Sequence, residues 1–286
     1  MKQHWFQPRA FLWLLRRSML ASFDDGIFGT AKGAAYSALL SFFPVLTSAA
    51  TILVQSHAGF VSDIMERALS EIVPPGSEDL VVRQFRVSGA RPLALLVVAG
   101  IISVWAASGV IKSLIEGFQA AYRVPRNRSF LHQSGVAMLL VLGAAIPLLC
   151  ASLLVVFGGQ AETVVFHWLQ LDPVLHPLSG ALQWVSRLAR YAVAFATTVM
   201  VTASLYYFGP YRQQRWRYVW PGAILATVLW LIATSFFGWY TRNIAHYNVM
   251  YGSVGAIIAL LVWMYVLALV ALIGCEFNAE YERNAE

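Results

Sequence analysis

Charged residues are missing from long, well-separated stretches of this chain, and that spacing constrains the fold more than any motif does. Six stretches contain no Asp, Glu, Lys or Arg: Gly33–Ser62, Pro92–Ile111, Ser129–Ala161, Tyr191–Tyr211, Tyr218–Thr241 and Asn243–Cys275, each 20 to 33 residues long. About 20 apolar residues cross a bilayer core of roughly 30 Å. Buried helices of a soluble bundle keep a polar face, and these stretches have none. Composition agrees, with 59% hydrophobic residues, 12% charged and a mean hydropathy of +0.64, against about 25% charged in a soluble domain.

The fold class read from this pattern is an all-α membrane protein with six transmembrane helices, an N-terminal interfacial helix and an amphipathic outer loop. Spans are expected at about 30–55, 92–114, 135–158, 188–209, 218–240 and 250–275. Residues 1–28 form the cytoplasmic interfacial piece, 29–282 the membrane domain and 276–286 a cytoplasmic tail. The uncharged blocks hold 161 of 286 residues, and the longest piece outside them is the N-terminal 32. A piece that short supports no soluble catalytic domain by itself, so any chemistry has to sit in the membrane or at its surfaces.

Orientation follows from the basic residues, which mark the cytoplasmic side. Thirteen lie before the first span, between spans two and three, between four and five, and in the tail; seven lie on the opposite side. Both termini are therefore expected to be cytoplasmic. The net charge of +6 is explained by these turns and by anionic headgroups at the cytoplasmic face; no nucleic-acid motif accompanies it. Membrane lipids are the expected partners, with a homo-oligomer as a further option.

Along the chain, Pro8–Phe23 places Phe11, Leu12, Leu15 and Met19 on one stripe beside Arg9, Arg16 and Arg17, the pattern of a surface-lying helix. The first span repeats small residues at intervals of four (Gly29/Gly33, Ala31/Ala35, Ala34/Ala38, Ser37/Ser41), which lets a neighbouring helix come close. Pro44 removes one backbone donor there and predicts a kink, with Ser41 or a neighbour re-satisfying the freed carbonyl. The first outer loop offers amphipathic pieces at Val61–Ile72 and Glu78–Val87, divided by Pro74-Pro75-Gly76. Lys112 and Glu116 are spaced to pair at a helix end.

Catalytic patterns are missing from the sequence. There is no HExxH, no G-x-S-x-G and no phosphate-binding glycine loop. The two cysteines, Cys150 and Cys275, sit in apolar helices and read as core residues. No catalytic residue, cofactor or metal is expected. Ionisable groups near the membrane are more informative because burying them is costly: Lys32, Glu116, Arg190, Arg242, Glu276 and Glu280. Lys32 and Glu276 fall at the same predicted end of the first and last spans and are candidates to pair across a gate. Tyr36, Ser41, Pro44, Trp105, Tyr207, Pro210, Tyr251, Gly252, Tyr265 and Asn278 complete the set of candidate functional or gating residues.

Three ordered runs carry a family resemblance. They are Ala34-Ala35-Tyr36-Ser37-Ala38-Leu39-Leu40-Ser41-Phe42-Phe43-Pro44; then Tyr206-Tyr207-Phe208-Gly209-Pro210 with basic residues and Gly222-Ala223; then Tyr251-Gly252-Ser253-Val254-Gly255-Ala256 through Trp263-Met264-Tyr265 to Gly274-Cys275-Glu276-Phe277-Asn278-Ala279-Glu280. Together they resemble the YihY/virulence factor BrkB family over about Asp24 to Glu282. The resemblance implies a six-helix inner-membrane protein. Members have carried a ribonuclease label that this sequence does not support; other associations are serum resistance and envelope lipid export. This chain departs from the family pattern at Phe208-Gly209, where an Arg is frequent, and at Cys275, where Ala is common. The expectation is a transporter or translocase of a lipid or other amphiphilic envelope component, with a non-transporting scaffold as the alternative and an intramembrane enzyme as a weaker third.

Overall fold

The computed structural model describes residues 8–55, 93–125, 129–168, 178–243 and 253–285. Seven α-helices carry nearly all of them: α1 Pro8–Asp24, α2 Ile27–Gln55, α3 Leu93–Ala121, α4 Phe130–Trp168, α5 Leu178–Phe208, α6 Trp220–Asn243 and α7 Ser253–Arg283. A single 3-10 turn, Trp216–Tyr218, leads into α6, and the described residues include no strand. Five of the helices, α3 to α7, are long and apolar enough to cross a membrane. Helix α2 has 29 residues, including the Pro44 region. The amphipathic pieces expected at 61–72 and 78–87, together with Tyr251 and Gly252, lie outside the described residues.

Helices α3, α4 and α5 run longer than the uncharged blocks that announced them, and α7 continues past the end of its block. At about 1.5 Å per residue, the 31 residues of α7 reach well beyond a roughly 30 Å hydrocarbon core. The tail expected from residue 276 onward is helical as far as Arg283. The reason is that Glu276, Asn278, Glu280 and Glu282 turn inward and are buried. Asn278, Glu280 and Glu282 meet partners from other elements, so the helix continues as a packed element rather than fraying in solvent.

Small residues set the core. Ala31 and Ala34 of α2, Ala203 of α5, Ala223 and Ala226 of α6, and Ala268, Cys275 and Ala279 of α7 are buried around Phe118, Tyr206 and Leu272. In lipid there is little hydrophobic drive between helices, so association relies on close packing and interhelical hydrogen bonds. The α6–α7 crossing is tight at its glycines. A Cβ on Gly274 would stand 2.6 Å from the Ala226 Cβ and 2.7 Å from the Gly222 carbonyl oxygen, and a Cβ on Gly222 would overlap the Gly274 carbonyl. In α2, by contrast, a Cβ on Gly29 or Gly33 would meet nothing within 4 Å; of the four small-residue pairs, the alanines and serines, with Ala31, Ala34, Ala35 and Ser41 buried, make the seam. Ser48 and Ser103 share a 2.8 Å hydrogen bond between α2 and α3.

Pro44 lies within the continuous helix α2. The Ser41 hydroxyl donates to the Ala38 carbonyl at 2.9 Å. It therefore does not serve the Leu40 carbonyl, which is the one that Pro44 leaves without an i+4 donor.

Candidate functional site

The end of the bundle that carries α1 and the last turns of α7 also holds the α3–α4 turn and the α5–α6 connection, and most buried polar chemistry among the described residues collects there. It starts from a helix terminus that needs a donor. Pro210 has no N–H, so the Tyr206 carbonyl at the end of α5 lacks its helical partner. Gln214 supplies the donor: its Nε2 reaches the Tyr206 carbonyl at 2.5 Å and the Tyr207 carbonyl at 3.0 Å. The Tyr206 hydroxyl in turn donates to the Ala271 carbonyl of α7 at 2.6 Å.

Asn278 performs the matching task for α6. Its Oδ1 accepts the Gly222 N–H at 2.6 Å and its Nδ2 donates to the Val219 carbonyl at 2.9 Å. Gly222 is in the first turn of α6, where N–H groups have no intrahelical acceptor. A fully buried amide on α7 thus closes the start of α6, which is possible only because Gly222 and Gly274 let the two backbones approach.

Four carboxylates surround this fastening. Glu282 receives Arg212 at 2.9 Å, from the α5–α6 connection. The Arg212 guanidinium also lies 4.8 Å above the Tyr122 ring. Burial pushes the Tyr122 phenol well above its ordinary range, so the ring stays neutral beneath that cation. Glu280 receives Arg17 of α1 at 2.6 Å and Arg283 of its own helix; Arg283 also donates to the Ala121 carbonyl at the end of α3. Asp25, between α1 and α2, lies 3.5 Å from Arg123. Glu276 has a side chain that is 0% exposed, and its nearest cation is Arg283 Nη2 at 3.8 Å. Phe11 of α1 packs on Phe277 with ring centroids 5.7 Å apart. The last turns of α7 therefore bind α1, the end of α3 and the start of α6 to one another.

Of the residues singled out from sequence, this site gathers Glu276, Asn278 and Glu280 at its centre and Tyr207 and Pro210 at its edge. Pro210 is buried, and the Tyr207 ring stacks edge-on against Trp216. The expected pairing of Lys32 with Glu276 does not form: α2 and α7 are neighbours, but Lys32 is exposed and Glu276 enclosed. Tyr36 and Trp105 are exposed on the outer faces of α2 and α3. Lys112 Nζ lies 5.1 Å over the Phe130 ring, and Glu116 is half-buried on the same helix. Tyr265 is half-buried between the two clusters of the core. Arg190 lies in the first half of α5, about midway along the helix, where its side chain covers Gly158 of α4. Arg242 is in the last turn of α6.

Tyr206, Gln214, Arg17, Arg212 and Arg283 make these contacts without being among the residues that the sequence marks as candidates. Proline within Gly209-Pro210 was the available signal for Gln214, because it leaves a buried carbonyl in need of a donor. The arginines looked like topology markers, and nothing local distinguishes a cytoplasmic arginine from one that folds back onto α7. Among the described residues, no group of three or more His, Cys, Asp and Glu is arranged to hold a metal ion.

A second feature lies away from this end. Helices α4 and α5 border a groove of about 910 Å³, lined by Leu140, Gly143, Ala144, Pro147, Ala196, Thr197, Met200 and Ser204 among others. Gly143, Ala144, Ala196 and Ser204 are small residues in this lining, and Pro147 lies inside the continuous helix α4. Helix α4 buries little of its span against the rest of the bundle.

The model of the family described as Virulence factor BrkB matches residues 21–286. This chain belongs to the BrkB family. Among BrkB relatives, the putative ribonuclease-like protein YfkH of Bacillus subtilis is 28% identical over 88% of this chain and 89% of its own length. A UPF0761 membrane protein of Alkalilimnicola ehrlichii is 24% identical over 89% of this chain, and one of Chromobacterium violaceum is 29% identical over 85%. The chain spans just over half the length of these two, 55% and 56%. No solved structure matches the chain. The chain is thus a polytopic membrane protein of the BrkB/UPF0761 family.

Proposed function

We propose that this BrkB-family protein moves a lipid or another amphiphilic envelope component across or within the bacterial inner membrane. In this reading α2 joins α3–α7 as a sixth span, both termini face the cytoplasm, and no enzymatic step is involved. The ribonuclease-like wording belongs to the name of YfkH and is not carried over to this chain.

The observation that carries the reading is the groove between α4 and α5. A ligand pocket is concave and mostly apolar, with a few polar groups that orient its guest. Here aliphatic side chains line the walls, with the Thr197 and Ser204 hydroxyls beside them. Ser204 donates to the Met200 carbonyl at 2.8 Å, which leaves its lone pairs as acceptors for a guest. Small residues and a proline-containing wall suit an opening that widens laterally. The termini-in arrangement would place the carboxylate–arginine assembly at the cytoplasmic surface, beside anionic headgroups.

Vesicles containing the purified protein and a fluorescent phospholipid test this reading. Transbilayer movement faster than in protein-free vesicles is expected. Ala196→Trp or Gly143→Phe, which fill the groove, should abolish it while the melting temperature stays within a few degrees. Lipid movement that equals the protein-free rate across anionic, zwitterionic and glycolipid probes would overturn it. A scaffold without transport is the second reading, and the close Gly222–Gly274 seam favours it. Under that reading the groove variants would be silent and the seam variants would not.

A further inference from the structure

One buried group near the end of α7 has chemistry that packing does not account for. Glu276 is fully enclosed, and neither of its carboxyl oxygens has a hydrogen-bond partner. Arg283 stands 3.8 Å from Oε1, but its guanidinium already donates to Glu280 and to the Ala121 carbonyl. An enclosed carboxylate without donors is strongly disfavoured, and such a group is relieved by taking up a cation or a proton.

The surroundings narrow the choice. The charged groups within electrostatic range of Glu276 are Asp25, Arg283, Glu280 and Arg123. Asp25 comes from the α1–α2 turn, and its Oδ2 is likewise enclosed without a partner. Arg123, at the end of α3, is 62% exposed, and Arg17 of α1, which holds Glu280, is 47% exposed. Arg212, from the α5–α6 connection, is engaged by Glu282. Lys32, the charged residue of α2, is exposed, and the charged residue of α6, Arg242, is at its far end. The carboxyls are therefore inside while two of the arginines that would balance them face water. The described carboxyls do not form a metal-holding group, so a proton is the ion that fits.

We propose that Glu276 is a proton-binding site: its carboxyl is protonated in the packed bundle and releases that proton when the α1 strap held by Arg17–Glu280 lifts and admits water. The deprotonated carboxylate is then solvated and can pair fully with Arg283. Closing the strap requires the proton to return. No other bond is made or broken, and the exchanged proton goes to and comes from bulk water. This inference stands independently of amphiphile transport, because a proton site can be read in a protein that moves nothing.

Infrared spectroscopy of the full-length protein in lipid nanodiscs tests it. The wild-type minus Glu276→Gln difference spectrum at neutral pH should contain the C=O stretch of a protonated carboxyl, which shifts in heavy water and bleaches on alkaline titration. The melting temperature of the wild type should fall as pH rises, since alkali removes the proton that the packed form needs. E276Q, a neutral isostere, should lose that dependence and melt no lower than the wild type in alkali. Arg17→Gln, which frees the strap, should speed hydrogen–deuterium exchange of the carboxyl band; this arm uses the native Glu276 and holds even if E276Q folds poorly. The proposal is overturned by a difference spectrum with no protonated-carboxyl band at neutral pH. Parallel pH–melting profiles for the wild type and E276Q, or unchanged exchange in R17Q, would also overturn it.

Discussion

Replacing Asn278 with alanine removes a small side chain from a place where two backbones depend on it. The Gly222 N–H loses its acceptor at 2.6 Å, and the Val219 carbonyl loses one of its donors at 2.9 Å. The two losses are unequal. Val219 also accepts from the Ala223 N–H at 3.2 Å, so its carbonyl remains partly satisfied. Gly222 sits in the first turn of α6 and has no helical acceptor, so its N–H is left buried and unpaired. An orphaned buried donor costs about 1–3 kcal/mol; adding the small cavity, the total is about 2–4 kcal/mol. Thermal unfolding in detergent, followed by tryptophan fluorescence, should show a drop of roughly 5–10 °C. Asn278→Asp separates hydrogen bonding from volume, since it keeps the acceptor for Gly222 but turns a carboxylate oxygen toward the Val219 carbonyl. It should destabilise at least as much as alanine, because a charge and a repulsive contact are buried together. If N278A melts with the wild type, or if N278D is as stable as the wild type, the closure of α6 by this amide is not what holds α6 to α7.

Gly274→Ala should lower stability by about 1–3 kcal/mol through overpacking, because its Cβ would crowd Ala226, the Tyr206 hydroxyl and the Gly222 carbonyl; Gly135→Ala, with nothing within 4 Å, should melt with the wild type. Tyr206→Phe removes the hydrogen bond to the Ala271 carbonyl and should cost about 1 kcal/mol, read by the same assay. Glu280→Gln should loosen α1 without unfolding the bundle, seen as faster backbone amide exchange in residues 8–24 while α6 and α7 stay protected; exchange that rises equally in all three would show that the pair supports the whole bundle. Gln214→Leu leaves the Tyr206 carbonyl without the donor that Pro210 cannot provide and should expose the α5–α6 connection to proteolysis near Tyr211–Arg217, while Gln214→Asn should have an intermediate effect.

Much of the architecture could be read in the linear chain. Helices α3 to α7 were visible as uncharged blocks because a hydrocarbon medium demands internally bonded backbone and excludes charge. Helix α1 was visible in its stripe of Phe11, Leu12, Leu15 and Met19, although the face that it packs inward is that of Leu14, Ser18, Ala21 and Ser22. Glu276, Asn278 and Glu280 were marked as candidates by their position at the end of an apolar run. The partners of these residues were not legible. Lys32 looked like a fitting counter-charge for Glu276 because both lie at helix ends, yet α2 turns Lys32 outward, and Arg283 is the nearest cation. Helical rotation decides which side a residue faces, and a pattern that is apolar all round gives no phase by which to set it.

By itself, the sequence determined the medium, the helical class and the places where the chain leaves the apolar phase, because solvation acts on each segment locally. The tertiary structure decided which polar groups meet. Gly222 and Gly274 bring α6 and α7 together, Asn278 then closes the start of α6, and Arg17 and Arg212 approach α7 from positions more than sixty residues away in the chain. The same close packing leaves Glu276 enclosed without a donor. Exclusion of water from a buried carboxyl is a property of the packed bundle: several helices produce it jointly, and no single segment encodes it.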